Sequence, residues 1–208
     1  AACLPAARLG ARARPENGGA DGRLHARGWG HPNPWGASSA KRRRVAMSSP
    51  APLPFDIHRS AQRGELQKVV KWLRKGGLVN GLCSTTRADG QSVETLLCAA
   101  AGCGQLEMVR MLLEQGASVD LPSSLGYTAL MEAALRGYLS ILLVLLQHSA
   151  NPDLQCSNRH TALICAAYKG QKACVKALMR AKANTELIDK DGDTALQVAE
   201  ALGYAATA

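Results

Sequence analysis

One stretch of sequence recurs along this chain with a period of 33 residues. The copies begin at Thr95, Thr128, Thr161 and Thr194, and the last three open with the same three residues, Thr-Ala-Leu. Every copy has an alanine five residues after its threonine and a glycine nine residues after it. A fixed period of about 20–50 residues is typical of proteins built from stacked units, each burying its apolar face against the next.

Within one unit, the residue pattern predicts two helices joined by a tight turn. Thr128 is a good N-cap, and Leu130 and Ala134 lie at i and i+4 on one apolar face. Gly137 suits the left-handed position that ends a helix. A second helix is predicted at about 139–147, so each unit is expected to be a helix–turn–helix.

The helix caps are expected to differ between units. A threonine N-cap is strengthened by Gln or Glu three residues later, whose side chain reaches back to the cap. Thr194 has Gln197 in that place, whereas Met131 and Ile164 occupy it in the two units before. We expect the caps of those two units to be weaker by about 0.5–1 kcal/mol each.

These columns resemble the ankyrin repeat, a family with a period of 33 residues and a Thr-Pro-Leu-His-x-Ala signature. The resemblance covers residues 54–208, although alanine replaces the family's proline in the last three units. It implies an all-α solenoid of stacked helix–turn–helix units with β-hairpin finger loops. About five units are expected, of which the first is degenerate and the last, ending at Ala208, is incomplete.

The first unit aligns with the second at an offset of 40 residues rather than 33. About seven extra residues therefore lie between them, in the segment 78–93. Because this segment is rich in Gly, Ser, Thr and Asp, we predict that it is a loop.

Residues 1–53 are a different kind of sequence. They are rich in Ala, Arg, Gly and Pro, show no apolar periodicity, and carry nine basic and two acidic residues. Such a segment buries too little to order itself, so we expect a disordered basic tail. Met47 is the first methionine and a candidate start, which leaves residues 1–46 either part of the working protein or an upstream remnant.

The tail contains one short basic run. Its residues are Lys41, Arg42, Arg43 and Arg44. It is interpreted as a nuclear import signal, as part of an Arg-rich transit peptide, or simply as solvated charge. Because the tail holds +7 of the net charge of +9, the repeats themselves are nearly neutral, and nucleic acid is not the expected partner.

The cysteines point to a reducing compartment. Seven are present, an odd number, with no C-x2-C pair and no zinc-ligand spacing. We therefore expect free thiols in an intracellular protein, cytoplasmic with the nucleus as the alternative. Cys98 and Cys174 lie on apolar faces and are predicted to be core residues. The most apolar run, 141–146, is too short to span a bilayer, and Leu143 within it is expected to be exposed.

No catalytic constellation is visible in the sequence. It contains neither a phosphate-binding G-x-x-x-x-G-K-[ST] loop nor a G-x-S-x-G motif. The five histidines, including His58, His148 and His160, have no partner at a useful spacing and are expected on the surface. We therefore expect no enzyme activity, no cofactor, no metal and no small-molecule substrate.

The resemblance implies that function lies on the concave surface formed by the inner helices and the fingers. We expect a scaffold or adaptor that binds another protein there. The alternative is the targeting region of a larger enzyme, of kinase or ubiquitin ligase type, whose catalytic domain is absent from this chain; the full-length transcript would distinguish the two. The variable inner-helix positions predicted to contact the partner are Glu132, Leu135, Arg136, Cys165, Tyr168 and Lys169.

Overall fold

A computed structural model describes residues 53–87 and 90–204. The expectations for residues 1–52, including the basic run at 41–44, lie outside the described residues. Within them the chain forms paired helices and one β-hairpin. In chain order the elements are α1 Phe55–Gln62, α2 Leu66–Arg74, β1 Leu82–Arg87, β2 Gly90–Thr95, α3 Leu96–Gly102, α4 Leu106–Glu114, α5 Ala129–Arg136, α6 Leu139–Gln147, α7 Ala162–Tyr168, α8 Lys172–Arg180 and α9 Ala195–Ala201.

The helices stack in two rows. The inner row, α1, α3, α5, α7 and α9, is continuous, because each inner helix contacts the next. The outer helices α4, α6 and α8 also contact one another in order. The architecture is thus an all-α solenoid in which each unit packs on its neighbours, as the period predicts.

The repeated residues have structural roles that explain the period. The threonine hydroxyls of the second to fifth units accept the N–H three residues on, at distances of 3.0–3.4 Å. The glycine column has φ between +63° and +77° in four of its five members, Gly64, Gly104, Gly170 and Gly203, and +78° in Gly137, a region that side-chain-bearing residues rarely adopt. The alanine column is buried, so neighbouring inner helices approach closely.

The acidic column links successive units. Asp120 accepts the backbone N–H of Asn151 at 3.0 Å, and Asp153 accepts that of Asn184 at 2.8 Å. Asn80 plays the same part toward Ser118 at 2.8 Å. These side chains satisfy backbone donors of the following unit, which the sequence columns alone did not reveal.

The segment 78–93 is not the loop that we predicted. Residues 82–87 and 90–95 pair as an antiparallel hairpin, in register from Leu82 opposite Thr95 to Arg87 opposite Gly90. Val93 of the second strand also exchanges hydrogen bonds of 2.9 Å with Ser124 of the next finger. The extra residues therefore lengthen the first finger. The Asp89-Gly90 dipeptide, a strong hairpin-turn signal, could have identified it.

The core begins slightly before the predicted boundary. Leu53, which we assigned to the tail, is buried, and its N–H donates to the carbonyl of Leu82. Cys98 and Cys174 are buried as predicted, and Leu143 on the outer row is 43% exposed. In the part of the chain that the structure describes, no helix is long and apolar enough to cross a membrane.

The capping pattern agrees with the sequence. Thr194 and Gln197 form a reciprocal capping box, with the Thr194 N–H donating to Gln197 Oε1 at 2.8 Å. Met131 and Ile164, at the equivalent places, are buried in the core. Replacing either with glutamine would therefore lose packing and could not isolate the cap.

Gln197→Ala isolates the capping box, because Gln197 is exposed. We expect this change to destabilise α9 by about 0.5–1 kcal/mol through loss of the reach-back hydrogen bond. Hydrogen exchange of the α9 amides measures the effect, with Glu200→Ala on the same helix as the control. Equal exchange rates in the two variants would contradict a contribution from the box.

Candidate partner-binding surface

The six residues predicted to bind a partner lie on two adjacent inner helices. Glu132, Leu135 and Arg136 belong to α5, whereas Cys165 and Tyr168 belong to α7, with Lys169 at its C-cap. Since α5 and α7 pack side by side, the structure brings the two groups together.

Two of the six residues are buried and do not face a partner. Cys165 is 1% exposed, and burial raises the pKa of its thiol, with smaller contributions from Cys156 and Glu132. Our assignment of Cys165 to the binding surface is therefore corrected: it is a protonated core residue at neutral pH. Glu132 is 5% exposed and lines a pocket of about 260 Å³ together with Glu94 and Gly102.

The other four residues form a continuous accessible set. Leu135 is half-buried, and Arg136, Tyr168 and Lys169 are exposed. We call these four residues the Tyr168 surface. It combines an apolar side chain, an aromatic ring and two cations, a composition common in the centres of protein interfaces.

The Tyr168 ring is supported on more than one side. The Lys169 ammonium lies 5.1 Å from the ring centroid, a cation–π geometry. The His160 ring stacks against it, with centroids 6.5 Å apart and planes at 27°. The tyrosine is nevertheless 46% exposed, so it offers a partly fixed aromatic group to a partner.

His160 connects the Tyr168 surface to the last described finger. Its Nε2 lies 3.9 Å from Oδ2 of Asp189, and Asp189 accepts the N–H groups of Asp191 and Asp193 at 2.8 and 3.0 Å. Burial lowers the pKa of His160, so the imidazole is neutral at pH 7. We expected a surface histidine without a partner. Its support of Tyr168 depends on a contact between the finger and an inner helix, which no spacing in the sequence indicates.

His58 also departs from the prediction. It is fully buried, and its Nε2 lies 3.1 Å from Oε2 of Glu94, joining α1 to strand β2. The Nδ1 atom has no hydrogen-bond partner within the described residues. His58 is thus part of the packing between the first unit and the hairpin and is not a surface residue.

Glu94→Ala tests the structural value of this pair. We expect the free energy of unfolding to fall by about 1–3 kcal/mol, because the change leaves the buried imidazole without a partner. Urea denaturation measures it. The exposed Glu107 provides the control, since Glu107→Ala should change stability by less than about 0.5 kcal/mol. An equally small effect of both changes would contradict the role of the pair.

The described residues show no arrangement suited to metal chemistry. No group of three or more His, Cys, Asp or Glu side chains within them could hold a metal ion. The six cysteines in this part of the chain are free thiols.

A stack of paired helices with projecting fingers and an exposed aromatic surface on its inner row defines a helical repeat protein. A family model described as ankyrin repeats (3 copies) matches residues 57–156 and 148–208. The chain therefore belongs to the ankyrin-repeat family, whose domains are in general non-catalytic modules that bind other proteins. A comparison with curated proteins found no match.

Proposed function

We propose that this chain is a scaffold or adaptor that binds another protein through the Tyr168 surface. The observation that carries the proposal is the exposed Tyr168 ring, held between His160 and Lys169 on the inner helix row. An aromatic side chain that is already oriented loses little conformational entropy on binding, and tyrosine and arginine are frequent hot-spot residues.

The neighbouring residues favour the same surface. Leu135 places an apolar side chain beside Tyr168 on the adjacent helix, and Arg136 contributes a guanidinium that binds carboxylates in a fork geometry. The outer row offers less. On α6 the exposed side chains include Leu143, but none in that helix is charged or aromatic.

Affinity capture with the full chain tests this function. The wild type is compared with a variant of the Tyr168 surface in which Leu135, Arg136, Tyr168 and Lys169 are all alanine. The matched control carries four alanines on the outer row, at Leu143, Lys172, Lys176 and Arg180, which are all exposed. Unfolding curves confirm that both variants fold.

We expect specific proteins to be retained by the wild type and by the outer-row control, and to be lost from the Tyr168-surface variant. Retention by all three chains, or loss from the control alone, would place binding elsewhere and contradict the proposal.

We propose in addition that the chain works inside the cell, in the cytoplasm or, with the basic run at 41–44, in the nucleus. The free thiols of the described residues support this, since exposed Cys103 would be oxidised readily outside the cell. A fluorescent protein fused to residues 36–50 tests the nuclear case. Nuclear accumulation is expected if the run is an import signal, and diffuse fluorescence would contradict it.

A further inference from the structure

The charges around Tyr168 are unequal in their exposure. Arg136 and Lys169 are exposed, whereas the nearest acids, Glu132 and Asp189, are almost completely buried. Asp189 is also engaged with backbone N–H groups of its own finger. The Tyr168 surface therefore presents positive charge to a partner.

The same two columns carry no acid in the neighbouring units. Gly102 and Cys103 occupy them in the second unit, and Ala201 and Leu202 in the fifth. The last described finger adds exposed charges of both signs, at Arg159, Lys190, Asp191 and Asp193. The positive charge on the inner row is thus confined to a short stretch with apolar or small residues beside it.

The spacing of the two cations limits what fits. Arg136 and Lys169 hold equivalent places on adjacent helices, and packed helices lie about 8–10 Å apart. An extended peptide covers about 3.3–3.6 Å per residue, so about three residues span this distance. Leu135 and Tyr168 lie one residue before each cation, which places apolar surface beside both.

We propose that the occupant of the Tyr168 surface is an acidic protein segment in which two carboxylates, about three residues apart, flank an apolar side chain. The carboxylates pair with Arg136 and Lys169, and the apolar side chain packs on Leu135 and Tyr168. This proposal rests on the proposed function. A nucleic acid fits less well, because the repeats are nearly neutral and two cations neutralise few phosphates.

A displayed library of random 12-residue peptides tests the proposal on the full chain. Selection is run on the wild type and on two charge-reversed variants of equal charge change. Arg136→Glu with Lys169→Glu alters the Tyr168 surface, and Lys172→Glu with Lys176→Glu alters the exposed outer face of α8.

We expect the wild type and the α8 variant to enrich the same peptides, with paired Asp or Glu around an apolar residue. The Tyr168-surface reversal should weaken these peptides at least about tenfold, because it replaces attraction by repulsion. Surface-dependent peptides that are basic or neutral would overturn this inference and leave the proposed function standing. Acidic peptides lost from the α8 variant instead would also overturn it. If no peptide depended on the Tyr168 surface, both would fail.

Discussion

Replacing Leu145 by alanine should lower the free energy of unfolding by about 2–5 kcal/mol, the range found for leucine truncation in well-packed cores. Leu145 is fully buried in α6 and belongs to the column that also contains Leu112 and Leu178. Each outer helix of this column contacts its neighbour, so the cavity weakens contacts on both sides. Denaturant unfolding of the full chain measures the loss.

Leu143, two residues earlier in the same helix, provides the control. Because it is 43% exposed, Leu143→Ala should change stability by less than about 0.5 kcal/mol. Similar losses from the two variants would show that the inner and outer faces of α6 are wrongly assigned.

Tyr168→Ala should raise the dissociation constant of the captured partner at least about 30-fold, which corresponds to roughly 2 kcal/mol. The change removes the aromatic contact and leaves His160 and Lys169 without the ring that both approach. Calorimetric titration of the partner into each variant measures the affinity.

Tyr168→Phe separates the ring from the hydroxyl. It keeps the stacked ring, so we expect the affinity to remain within about fivefold of the wild type. If alanine and phenylalanine at this position had equal effects, the aromatic ring would not be the anchor that the proposed function requires.

The repeated parts of the fold could be predicted from the sequence because they depend on local chemistry that recurs. Thr128 caps a helix through its own hydroxyl, and Gly137 ends that helix through its own φ of +78°. The same residues at the same spacing give the same elements in later units. The predicted bounds of α6 agree with those observed for this reason.

The departures occur where one unit meets another. His58 was assigned to the surface because nothing near it in sequence could pair with it, and its partner Glu94 is 36 residues away. Cys165 follows the same rule in reverse. It occupies a column of varied residues, which suggested contact with a partner, but the close approach of the inner helices buries it. Such contacts depend on how units stack, which a single repeat does not encode.

Site-specific photo-crosslinking in cells compares the two faces of the solenoid under matched conditions. A benzophenone side chain is introduced at position 168 on the inner row or at position 143 on the outer row, where the native side chains are 46% and 43% exposed. After irradiation, adducts are identified by mass spectrometry. Binding through the Tyr168 surface predicts specific protein adducts from position 168 and few from position 143. Adducts from position 143 alone, or equally from both, would contradict it.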